Sequence, residues 1–191
     1  MTPTQEGCNA LSMLLPCMFI GHSYWASPDP HVAVILCGGL IHLPAVIAYH
    51  MRAALGRLDD VIDNDLRRLD QTYAHIVASV YSYALSGSAE YAVFNGLVNA
   101  YFISQVWRSS TSNDGKRWTS LLMSVGLYTA PMIYRKDIEN YTRAVASVVI
   151  GGALFVPCVN YKMLGGWGHC LFHVMMIMHG LALSESARMM H

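Results

Sequence analysis

The sequence predicts an all-α membrane protein, a bundle of seven transmembrane helices, and three observations lead there. Hydrophobic residues make up 54% of the 191 positions and charged residues only 13%, about half the charged share of a soluble domain, and the mean hydropathy is +0.34. Seven apolar stretches recur along the chain, each near the ~20 residues that cover a hydrocarbon core. Trp107, Trp118, Tyr134, Tyr141 and Trp167 fall at the ends of those stretches, as interfacial aromatic residues do. The connections are short, so residues 1–191 read as one seven-transmembrane domain. Twelve basic residues balance twelve acidic ones, which leaves no field to attract nucleic acid. The five cysteines lack CxxC spacing and imply no disulfide framework. No basic n-region marks a cleaved signal peptide.

The first stretch runs from Cys8 to Ala26, with Pro16 tolerable in a membrane helix if neighbours satisfy the freed carbonyl. Pro28 and Pro30 then break the chain. The second runs from His31 to His50, where Pro44 predicts a kink. The third, Asp70 to Leu85, is short and rich in Tyr and Ser. Ser86-Gly87-Ser88 is a minimal loop before the fourth, Ala89 to Trp107. Ser109 to Gly115 is polar and turn-like. Trp118 to Tyr134, Tyr141 to Val159 and Trp167 to Ser184 complete the seven.

Loop charges orient the bundle. The N-terminal side carries Arg52, Arg57, Arg67, Arg68, Arg108, Lys116, Arg117 and Lys162, eight in all, against four on the other side: Arg135, Lys136, Arg143 and Arg188. The N-terminus is therefore expected in the cytoplasm. The membrane that holds the protein is not specified by any retention or lipidation signal. With this topology His50 ends the second helix, Asp70 opens the third, and His169 and His173 open the seventh, all on the N-terminal side. Histidines four apart share one helix face. Three imidazoles with an open fourth position make a catalytic zinc arrangement, in which zinc lowers the pKa of bound water to about 7. Asp70, flanked by Arg67 and Arg68, is the candidate carboxylate to orient that water or take its proton.

His169-x-x-x-His173 opening a last helix, Tyr49-His50 closing the second and Leu66-Arg67-Arg68-Leu69-Asp70 opening the third resemble a known superfamily. It unites alkaline ceramidases, progestin and adipoQ receptors, hemolysin III proteins and the myomaker group. The resemblance covers the order of all seven helices, with close residue matches in those three places. It implies that His50, His169 and His173 bind Zn2+ and that Asp70 contacts the zinc-bound water. It implies hydrolysis of a membrane lipid amide or ester within the bilayer, as in ceramidases. The family serine four residues before the second-helix histidine is Val46 here. That departure favours a second reading, a receptor or membrane-remodelling protein with a structural zinc. The expected partner is a membrane lipid, substrate or ligand.

The remaining histidines have plainer readings. His42, about 12 Å deeper than His50 and some 80° round the helix, His75 and His179 read as core residues bonded to a neighbouring helix. A haem held by His42 or His75 is a third function class. Gly38-Gly39, Gly151-Gly152 and Gly165-Gly166 read as close contacts or turns. The acidic run from Asp59 to Asp65 lacks the glycine and terminal glutamate of a calcium loop.

Overall fold

The computed structural model describes residues 1–58, 60, 63–108 and 114–190, with backbone alone at 114–116. Of the turn expected over Ser109–Gly115, Asp114 and Gly115 are already helical, while residues 109–113 lie outside the described residues. So do Asp59, Val61 and Ile62 of the acidic run, and His191.

Among the described residues the chain is helical throughout, with eight α-helices in place of the seven expected. The difference arises in the first stretch, which is split into α1 (Pro3–Ser12) and α2 (Leu14–Ala26). Pro16 is the cause. It has no N–H for the Ser12 carbonyl, and its ring collides with the carbonyl four residues back. Ser12 is accordingly the last residue of α1. Thr2, with Pro3 and Gln5, closes a capping box at the other end of α1.

The later helices are α3 (Pro30–Ala54), α4 (Asp65–Ser86), α5 (Ala89–Arg108), α6 (Asp114–Tyr134), α7 (Ile138–Phe155) and α8 (Gly168–Arg188), with a π-helical turn at Cys158–Met163 before α8. Asp29 caps α3 through the amides of His31 and Val32. Asn64 caps α4, so Asp70 lies in its second turn and not at its start. Gly87, at φ +64°, ends α4 in the left-handed conformation open to glycine, and Ser88 caps α5 at once. Helix α4 packs against α3, α5, α6 and α8, while α7 lies along α8 and α1 along the ends of α3 and α8.

Helices α3 and α8 are each long and apolar enough to cross a membrane. The distribution of polarity across the other helices is inverted. On α5 the inward face carries Asn95, Asn99, Phe102 and Val106, while Val93, Phe94, Leu97 and Tyr101 point outward. Phe19, Leu40, Met123, Ile133, Val149 and Ile150 are likewise exposed on other helices. The apolar core sits at one end of the bundle, built from Ile20, Ile35, Leu85, Met132, Leu183 and their neighbours. At that end Arg135 donates to the Leu85 carbonyl and to Ser186, and Arg188 donates to the Ser23 carbonyl at 2.6 Å. Each guanidinium thereby satisfies carbonyls at helix C-termini. The histidine cluster lies at the other end.

Buried polar groups tie the helices together pairwise. His75 bridges α4 to Asn99 on α5 and Ser124 on α6, at 2.9 and 3.1 Å. His179 on α8 donates to the Ala144 carbonyl and accepts from the Tyr128 hydroxyl at 2.7 Å. Both are bonded to neighbouring helices, as their sequence positions suggest. A second proline explains one more bond. Pro131, inside α6, cannot donate to the Leu127 carbonyl, and the Tyr91 hydroxyl on α5 donates to that carbonyl at 2.6 Å instead. Tyr91→Phe should therefore cost about 1 kcal/mol in detergent unfolding. The same change should cost little in a Pro131→Ala background, where the helix supplies the donor.

Candidate metal centre

His50 lies in the last turns of α3, and His169 and His173 in the first two turns of α8. Helices α3 and α8 pack against each other with opposite ends adjacent, so the three imidazoles meet. Ring centroids are 4.7 Å apart for His50 and His169, 4.6 Å for His169 and His173, and 5.8 Å for His50 and His173. One nitrogen from each ring lies within 4.8 Å of the others, a grouping that could hold a metal ion. His50 and His173 are 1% and 3% exposed, and Phe155 stacks edge-on against His169 at 4.6 Å.

The segment before α8 fixes its start. Gly165 and Gly166 turn the chain at positive φ, and the Asn160 side chain accepts from the Gly168 amide at 2.8 Å. A Cβ at Gly168 would lie 2.1 Å from the Leu154 carbonyl oxygen, so only glycine lets α8 begin so close to α7. One residue later the chain delivers His169.

Helix α1 supplies what the sequence reading missed. Nδ1 of His50 donates to Glu6 Oε2 at 2.7 Å, and both groups are buried. Nδ1 of His173 donates to the Asn9 carbonyl at 3.1 Å and to Ser12 Oγ at 2.8 Å, while the Ser12 hydroxyl donates to the same Asn9 carbonyl. With Nδ1 protonated, each of these rings keeps its lone pair on Nε2. A carboxylate or carbonyl behind a metal-binding imidazole sets its tautomer and orientation in this way. Gln5 donates to the Gly165 carbonyl at 2.6 Å and holds α1 against the turn that precedes α8. The polar stripe Gln5, Glu6, Asn9 and Ser12, behind the capping residues Thr2 to Gln5, is the signal that could have revealed α1 as a separate element.

Nδ1 of His169 is buried and has no hydrogen-bond partner among the described residues. A buried imidazole nitrogen in that state costs free energy unless another group meets it. Three converging imidazoles, two with outer hydrogen bonds and one whose Nδ1 is unpartnered among the described residues, fit a divalent transition-metal ion.

Asp70 lies outside the histidine grouping. Its Oδ1 accepts from His42 Nε2 at 2.8 Å, and the carboxylate is within Coulombic range of His50 and His173. His42 and His75, the haem candidates of the sequence, are both engaged by side chains of neighbouring helices. Val46 is buried one helical turn from His50 and brings no hydroxyl.

Searches of protein-family models, curated proteins and solved structures found no match to this chain.

The outer hydrogen bonds predict graded effects on metal binding. Glu6→Gln should weaken Zn2+ binding about 10- to 100-fold, read by chelator competition. Ser12→Ala should do less, because the Asn9 carbonyl still accepts from His173. Gly168→Ala should lower both metal affinity and the unfolding temperature.

Proposed function

We propose that this chain is a multi-pass membrane protein that hydrolyses a lipid amide or ester with the help of zinc. The observation that carries the reading is the meeting of His50, His169 and His173 at one end of the bundle, with Glu6, Asn9 and Ser12 behind them. It also supports placing the chain in the superfamily of alkaline ceramidases, adipoQ receptors and hemolysin III proteins. The inverted polarity of α5 and the exposed apolar residues of α2, α3, α6 and α7 favour immersion of the whole bundle. In this reading α1 and α2 together form the first crossing, broken at Met13, and α3 to α8 form the other six. The N-terminus and the histidine cluster then share the cytoplasmic side.

A bound Zn2+ would polarise the lipid carbonyl and make water acidic enough to attack near neutral pH. The protein's own groups do the remainder. His50 and His173 present Nε2 because Glu6 and the Asn9 carbonyl hold their Nδ1 protons. Asp70 takes a proton from the attacking water and can return it to the leaving amine or alcohol. The buried rings and Phe155 keep bulk water from the reacting carbonyl.

Val46 favours a second reading, in which zinc staples α3 to α8 and no hydrolysis occurs. Two measurements separate the readings. Detergent-purified protein should hold about one zinc per chain, lost in His169→Ala/His173→Ala. Hydrolysis of ceramide-type amides and of lipid esters should vanish in His173→Ala and fall about 10²- to 10⁴-fold in Asp70→Ala, with zinc retained in the latter. Full zinc occupancy without turnover of any lipid amide or ester would favour the staple.

A further inference from the structure

Resting on that hydrolase reading, we propose that His42 is the positioning residue of the site: it holds the Asp70 carboxylate against the histidine cluster before any ligand arrives. The sequence alone makes His42 a plain helix contact. The structure gives it a partner that matters, since Nε2 donates to Asp70 Oδ1 at 2.8 Å across the α3–α4 interface.

Three features carry the inference. His42 and His50 lie eight residues apart on one helix, about 12 Å along its axis, so α3 fixes both the holder of the carboxylate and a metal ligand. Asp70 feels the electrostatic field of His50 and His173, and His173 feels both Asp70 and His42. The pair therefore lies within electrostatic reach of the histidine cluster. Oδ1 of Asp70 is committed to His42, while the carboxylate side chain stays about a quarter exposed, at 24%. The carboxylate is thus anchored through one oxygen without being sealed off.

The row His42, Val46, His50 on α3 gives the pair its place. Val46, in the middle, is buried and can neither donate nor accept a hydrogen bond. The polar work on that helix above His50 falls to His42. A histidine and an aspartate inside an apolar bundle are costly as mere packing, and a hydrophobic pair of the same volume would join α3 to α4 at least as well.

The test is a double-mutant cycle of His42→Ala and Asp70→Ala, with His42→Gln as the variant that keeps a donor near the Nε2 position. Each is read twice on full-length protein in detergent. In the metal-free protein, each alanine change should lower the unfolding temperature, and the double variant should be no less stable than the worse single. Additive losses there would mean that the two side chains do not act as a pair, and would overturn the proposal. In the zinc-loaded protein, His42→Ala should lower kcat about 10- to 100-fold with KM and zinc content unchanged. His42→Gln should restore most of that rate, and His42→Ala should change nothing in the Asp70→Ala background. Wild-type rates in His42→Ala, or a loss that His42→Gln leaves in place, would also overturn it. If the wild type hydrolyses no lipid amide or ester, the hydrolase reading fails by itself, and the metal-free cycle still decides whether His42 holds Asp70.

Discussion

A buried imidazole is tolerable only when both of its nitrogens have something to do, and this requirement shapes one whole end of the molecule. Helix α1 contributes little to the apolar core, which lies at the opposite end of the bundle. Its inward residues are instead Gln5, Glu6, Asn9 and Ser12, and three of them bond to the histidines or to one another. The break at Pro16 makes this possible. A continuous helix from Pro3 to Ala26 would have to carry that stripe on a single straight axis. Gln5, Asn160 and Gly168 then fix the turn from which α8 starts, so two histidines of α8 reach the one of α3. Remove the need to satisfy imidazoles, and neither α1 nor the glycine at 168 has an evident purpose.

The rest of the bundle follows the same logic with different partners. His75 and His179 each sit where three helices meet and tie two neighbours to their own. In water such bonds would be marginal beside apolar burial. Apolar side chains face outward on α5 and elsewhere, and in the proposed membrane setting hydrocarbon would give the helices little reason to associate, so that packing and interhelical hydrogen bonds would have to supply it. The Tyr91 bond to the carbonyl orphaned by Pro131 is the clearest instance. Its presence follows from a proline twoscore residues away in sequence, through a missing backbone donor.

Much of the site was legible because two kinds of spacing report it. The four-residue interval between His169 and His173 places them on one helix face. The alternation of crossing direction brings the end of one apolar stretch to the start of another, and the described helices do bring His50 to them. The all-helical class was legible from composition and apolar runs, although eight helices form among the described residues because Pro16, tolerable inside one membrane helix by the sequence alone, separates α1 from α2. Glu6, Asn9 and Ser12 were not legible. They precede or open the first apolar stretch, and their role depends on α1 packing against α3 and α8, which no local pattern encodes. The partner of Asp70 was hidden for a related reason. The 80° offset of His42 from His50 is a property of α3 alone, whereas its contact depends on how α4 is rotated beside it.

Charge gives the last step. This end of the bundle gathers two carboxylates, Glu6 on His50 and Asp70 on His42, beside the three imidazoles. Two negative charges in a low-dielectric interior are costly without two compensating positive ones. The buried His169 Nδ1, without a hydrogen-bond partner among the described residues, adds a second cost. A divalent ion among the three rings would place positive charge beside both carboxylates and give one nitrogen of each ring a partner. A mere staple between α3 and α8 requires the ion and its three rings. It does not require a second carboxylate held on the neighbouring helix by a histidine of α3, and the His42–Asp70 pair is the part of this end that a staple leaves without a task.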